Sequence, residues 1–71
     1  MKDTILRMKK TLEKDCYIAF ISANPDYDFA VRPHDKLDFL DDKTLLVHRR
    51  GGRTTILNLN FMIGVCIREL F

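Results

Sequence analysis

The chain has 71 residues, 12 Lys and Arg against 10 Asp and Glu for a formal net charge of +2, and 46% hydrophobic residues distributed along its whole length. That distribution argues against a disordered chain, whose apolar content is too low to form a core. No run approaches the roughly 20 apolar residues that span a bilayer. The length suits one domain over 1–71, and a domain this small buries only about 60% of the surface its unfolded chain exposes, so oligomerisation, a disulfide or a metal would help to stabilise it.

Ile5, Met8 and Leu12 recur at helical spacing with Leu6 beside them and lysines opposite, and Asp3 or Thr4 is placed to cap the first turn. The spacing predicts an amphipathic helix over about 4–14. Isolated helices shorter than ~12 to 15 residues are marginal in water, so the apolar stripe must dock. A helix covering the end of a β-core is preferred over a membrane-surface or nucleic-acid-binding helix.

From Cys16 to Ile21 the composition turns aromatic and β-branched, which favours a buried strand. Asn24, Pro25, Asp26, Tyr27 and Asp28 form a turn, because proline fixes φ and Asn or Asp side chains satisfy local backbone donors. A second strand starts at Phe29 and runs through Val31. Pro33 lacks an amide donor, so it marks an edge, a bulge or a break before Lys36 to Leu40. Asp41 and Asp42 make the next turn, and Lys43 to His48 the third strand.

Two apolar runs then flank Arg49, Arg50, Gly51, Gly52 and Arg53. A Gly-Gly pair between strands reads as a two-residue β-hairpin turn, since such a turn needs positive φ at its central residues. The fourth strand, Thr54 to Asn60, alternates: Thr55, Leu57, Leu59 and Phe61 on one side, Asn58 and Asn60 on the other. Asn60, Phe61 and Met62 make a short corner, and Ile63, Val65 and Ile67 alternate with Gly64, Cys66 and Arg68 in the fifth strand. The predicted fold class is α+β, mainly β: an N-terminal α-helix followed by a five-stranded antiparallel, strongly bent small barrel over about 16–70.

The net charge conceals a segregation. Residues 1–14 carry +3, residues 26–42 hold six aspartates against Arg32 and Lys36 for −4, and residues 43–71 carry +4, with Asp15 making up the total. Such asymmetry can steer a polyanion to one face or let copies of the chain attract each other head to tail. Two cysteines, Cys16 and Cys66, are too few for a disulfide-dense scaffold, and the N-terminus shows no apolar core before a cleavage site, so a reduced, cytoplasmic protein is expected. If the first and last strands pair, the two thiols could approach each other.

The helix-then-five-strands order, with a bendable second strand and a fifth that returns to the first, resembles the Sm-like superfamily of small β-barrels. The similarity is concentrated in the run Phe39 to Val47, like the family's acidic turn entering its third strand, and in Thr55 to Val65, like its fourth strand, corner and fifth strand. The resemblance implies a SH3/Sm-like barrel, a homo-oligomer built by strand addition between subunits, and RNA as ligand. Where the family carries an Arg-Gly or Lys-His pair near the corner, this chain has Asn58, Leu59 and Asn60.

Arg49, Arg50 and Arg53 around Gly51 and Gly52 form the best anion-binding candidate, because guanidinium forks phosphate and uncovered glycine amides add donors. The competing reading is a solvated tip, or one that meets the acidic segment of a neighbour. Of the aromatics Tyr17, Phe20, Tyr27, Phe29, Phe39, Phe61 and Phe71, most fall at core spacing and only Tyr27 suits base stacking. Asn58 and Asn60 could read base edges or make cross-strand hydrogen bonds, the structural role being preferred. His34 beside Asp35, His48 and the cysteines lack metal-ligand spacing, so no catalysis and no cofactor is expected. The expected function is a non-catalytic, self-associating module that binds RNA or other nucleic acid through the basic hairpin. The alternative is a regulatory or assembly module that binds protein, and no membrane role is expected.

Overall fold

The apolar alternation from Cys16 onward produces six strands in two antiparallel sheets behind one helix, in a computed structural model that describes residues 1–70. The elements are α1 (Lys2–Lys10), β1 (Cys16–Ser22), β2 (Phe29–Val31), β3 (Lys36–Asp41), β4 (Thr44–His48), β5 (Thr54–Asn58) and β6 (Met62–Glu69), with 3₁₀ turns at Pro25–Tyr27 and Leu59–Phe61. One sheet has the order β2-β1-β6 and the other β3-β4-β5. The mainly-β, α+β class holds. The single five-stranded barrel does not, because the strands are not closed and the predicted second strand is two strands.

The division has two causes. Between β2 and β3, Asp35 N–H donates to the Arg32 carbonyl at 3.0 Å and the Asp35 carboxylate accepts the Arg32 N–H at 2.9 Å, which closes a turn around Pro33. Between β5 and β6 the chain enters the Leu59–Phe61 turn, so the two strands do not pair and each is an edge among the described residues. The period-two alternation therefore stops at Asn58. Leu59 stays buried, whereas Phe61, expected inside, is 69% exposed.

Helix α1 starts earlier and ends sooner than its apolar spacing suggests. Ile5 N–H bonds the Met1 carbonyl at 3.0 Å, and at the other end the Thr11 hydroxyl turns back onto the Arg7 and Met8 carbonyls. Asp3 in the first turn and Arg7, Lys9 and Lys10 in the last complement the helix dipole. Ile5 is fully buried, and Lys9 Nζ reaches the Pro33 carbonyl at 2.8 Å, so the helix docks beside the β2–β3 turn. No helix among the described residues is long and apolar enough to cross a membrane.

The core is one cluster: Ile5 from the helix, Ile18, Phe20 and Val31 from the first sheet, Leu45, Val47 and Leu57 from the second, and Leu59 from the corner. Each such side chain contributes about 1.5–3 kcal/mol when fully buried, which is how so short a chain offsets its ordering entropy. In the β3–β4 hairpin Phe39 pairs with Leu45 and Asp41 with Thr44, leaving Leu40 as an extra, exposed residue. That bulge takes up the twist at a turn where no non-glycine residue has positive φ.

Candidate functional site

The basic hairpin forms, but its arginines separate. Arg49 N–H donates to the Arg53 carbonyl at 2.7 Å, so Arg50, Gly51 and Gly52 make a three-residue tip instead of the two-residue turn predicted. Gly51 and Gly52 have φ of 83° and 81°, left-handed conformations that favour glycine. Arg50 and Arg53 project into solvent with no side-chain partner among the described residues. Arg49 turns inward: its Nη2 donates to the Ala30 carbonyl at 2.7 Å, its guanidinium lies 4.4 Å from the Phe29 ring centre, and Nη1 is 3.7 Å from Asp35 Oδ2. Its charge is already offset, so the five-residue anion site reduces to Arg50, Arg53 and the two glycines.

Asp35 is the charged residue that sequence pattern does not single out as buried. It is 1% exposed, with Oδ2 shared between the Arg32 amide and Arg49, and Oδ1 3.5 Å from His34 Nε2 without a hydrogen bond of its own among the described residues. The cluster fastens β2, the β2–β3 turn and the base of the β4–β5 hairpin to one another. Among the described residues no three His, Cys, Asp or Glu side chains come together to hold a metal.

A groove of about 730 Å³ lies elsewhere, between the Pro25–Tyr27 turn and the free edge of β5. Two turns of the same construction border it. Asn24 Oδ1 accepts the Asp26 N–H at 3.1 Å, and Asn58 Oδ1 accepts the Asn60 N–H at 3.0 Å. Each asparagine caps a 3₁₀ turn that ends on an exposed aromatic, Tyr27 at 70% and Phe61 at 69%. The sequence signal was present: Asn24-Pro-Asp-Tyr27 and Asn58-Leu-Asn-Phe61 share the spacing Asn-x-x-aromatic.

Ile56, 66% exposed on β5, continues the apolar lining, while Asp26 and Asp28 supply carboxylates and, among the described residues, no Lys or Arg lines the groove. Asp28 Oδ1 is committed to the Ser22 N–H at 2.8 Å, and the Asp26 carboxylate makes no hydrogen bond among the described residues. An apolar slot edged by carboxylates accepts apolar or cationic groups and disfavours phosphate.

The predicted site residues thus fall in four places. Arg49 joins the buried Asp35, Tyr27 and Asn58 meet in the groove, Arg50 to Arg53 sit at the opposite end of β5, and Asn60 lies with Asp41, Asp42, Lys43 and Thr44 in a shallow depression. Asn58 and Asn60 do not share a strand face, because Asn60 belongs to the 3₁₀ turn. Of the other aromatics, Phe20 is buried, Phe29 and Phe39 are partly buried against the core, and Phe71 lies outside the described residues.

The cysteines do not approach each other although β1 and β6 pair. Cys16 is opposite Glu69 and Cys66 opposite Ala19, three positions along, which puts the thiols on opposite faces of the sheet. Both are free. Partial burial, then the charges of Glu13, Glu69 and Asp15, push the Cys16 thiol up, favouring the unreactive protonated form.

Compared with protein-family models, with characterised proteins and with solved structures, the chain matches none.

Proposed function

We propose that this chain is a non-catalytic binding module that acts as an assembly of its own copies. The observation that carries this reading is the state of its strand edges. Among the described residues β5 and β6 each pair on one side only, and the exposed side chains Ile56, Phe61, Ile63 and Ile67 follow those edges and the corner between them. Soluble proteins blunt free edges with charge, proline or cover, yet β5 contains neither a charged residue nor a proline. Strand addition would cover this surface and supply burial that a 71-residue core lacks.

The sheet order supports kinship with Sm-like small barrels. Counting β2 and β3 as one strand broken at Arg32–Asp35 gives β6-β1-β2/β3-β4-β5, a single strongly bent ribbon. Free cysteines on opposite sheet faces suit a reduced, cytoplasmic setting. Light scattering or sedimentation of the purified chain tests the assembly: the expected mass is a multiple of 8.3 kDa, and a monomer at every concentration overturns it.

Nucleic-acid binding is the second reading, favoured by the unpartnered Arg50 and Arg53 on a tip with uncovered glycine amides. With Arg49 withdrawn, two cations remain at the tip of each subunit, Arg50 and Arg53. Binding of a mixed RNA pool should then weaken with salt at a log–log slope of about −1.4 per subunit engaged, at about 0.7 per single-strand phosphate contact. Reversing both charges should abolish it; no binding at low salt rejects this reading.

A further inference from the structure

We infer that two copies of this chain join by antiparallel pairing of their β5 edges, which seats the basic tip of each beside the acidic, aromatic groove of the other. This rests on the self-association reading and names its interface.

The groove runs along the edge of β5 itself. Ile56 and Leu57 both line it, although consecutive strand residues point to opposite faces, Ile56 outward to solvent and Leu57 into the core. The site is therefore open where a further strand would hydrogen-bond. No strand pairs with that side of β5 among the described residues, and the Pro25–Tyr27 turn stands across the groove from it.

The edge is also polarised. Arg50 and Arg53 stand before its first residue, Thr54, while Phe61 follows its last, Asn58, with Tyr27, Asp26 and Asp28 across the groove. Parallel pairing of two such edges would bring like charges together; antiparallel pairing brings each basic end to an acidic one. Centring the pair on Ile56 sets Thr54 opposite Asn58 of the second copy and Arg53 opposite its Leu59. Guanidinium groups stack on aromatic faces and pair with carboxylates, and Tyr27, Phe61 and Asp26 offer both.

Within one chain Arg53 and Asn58 are five positions apart, about 17 Å of extended strand, so the basic tip and the Asn58 end of the groove stand at opposite ends of β5. A two-fold pair satisfies both contacts and closes, leaving no further β5 edge. Edge β6 offers exposed Ile63 and Ile67 but no comparable separation of charge, since Arg68 and Glu69 adjoin at one end.

The test uses the full chain carrying Cys16→Ser and Cys66→Ser, with Ile56→Cys added. Opposed residues of an antiparallel pair lie ~4.5–5.5 Å apart at Cα, within disulfide reach, so mild oxidation should give a covalent dimer of twice the 8.3 kDa chain. Ile63→Cys in the same background should not. Arg50→Glu with Arg53→Glu should weaken association by roughly tenfold or more, and adding Asp26→Arg should recover part of that loss. Circular dichroism checks that each variant folds, and Ile56 is exposed enough to be replaced safely.

An assembly that survives Ile56→Lys and the arginine reversal but is lost on Ile63→Lys places the interface on β6; the inference then fails while self-association stands. A mass that never exceeds the monomer overturns both. If arginine reversal abolishes RNA binding and leaves the mass unchanged, the tip serves nucleic acid and the inference is again overturned.

Discussion

Arg49 and its neighbours Arg50 and Arg53 belong to the same basic run, yet the structure uses them in opposite ways. At the inter-sheet corner Arg49 is bonded to Ala30, stacked on Phe29 and set beside the buried Asp35. At the tip the exposed side chains of Arg50 and Arg53 make no hydrogen bond or ion pair among the described residues. The difference follows from position, not residue type. Arg49 is the last residue whose backbone still closes the hairpin, so its side chain points back along the sheet, whereas the glycines carry the next positions past the protein body. A cluster of like charges therefore cannot be taken as one site until each member's partners are known.

The largest effect expected from this contrast is at Asp35. Asp35→Ala removes the acceptor for the Arg32 amide and the carboxylate beside Arg49, and should cost about 2–4 kcal/mol in urea denaturation. The Arg49–Asp35 separation of 3.7 Å is long for a hydrogen-bonded pair, so Arg49→Ala should cost less, about 1–2 kcal/mol, chiefly through the Ala30 bond and the Phe29 contact. Arg50→Ala and Arg53→Ala should stay within about 0.5 kcal/mol when measured on the monomer. Equal costs at all three arginines would erase the distinction between corner and tip.

Next come the glycines. Gly51→Ala and Gly52→Ala meet no atom within 4 Å but force a left-handed φ on an alanine, for about 1–2 kcal/mol each. Gly64 in β6 has no such φ, and a methyl there would meet only the Ile21 side chain at 4.0 Å. Gly64→Ala should be neutral or stabilising by about 0.5 kcal/mol, so the ordering of the three thermal midpoints checks the backbone argument.

Much of the architecture was legible because it rests on local rules. Strand alternation, the Asn-Pro-Asp turn, the Gly-Gly tip and the apolar helix stripe each declare themselves within a few residues. Two features did not. Asp35 reads as one aspartate among six in an acidic stretch, and its burial depends on Arg49, 14 positions away in sequence, arriving from the other sheet. Phe61 fits the inward parity of Thr55, Leu57 and Leu59, and it is displaced because the Asn58 side chain captures the Asn60 amide and starts a 3₁₀ turn. The groove that resulted was invisible to strand periodicity, since one of its walls belongs to each sheet. Its repeated Asn-x-x-aromatic spacing was the available clue.

The smallest expected effect concerns Asp41, the exposed counterpart of Asp35. Both carboxylates accept a turn amide, Asp35 from Arg32 and Asp41 from Lys43 at 2.8 Å, but only Asp41 faces water. The Lys43 amide first, then the Thr44 hydroxyl, hold the Asp41 carboxyl below its ordinary value of 3.8. A carboxylate depressed in the folded state contributes stability that is full above that ordinary value and is lost as pH falls through the lower folded one. The Lys43 amide resonance should therefore titrate with a midpoint below 3.8, and Asp41→Asn should remove this transition while leaving the neutral-pH fold intact. A midpoint at or above 3.8 would mean that the turn does not hold the carboxylate. Solvent screening keeps the effect small, which is the physical contrast with Asp35: the same turn chemistry secures a fold where water is excluded and only trims a hairpin where it is not.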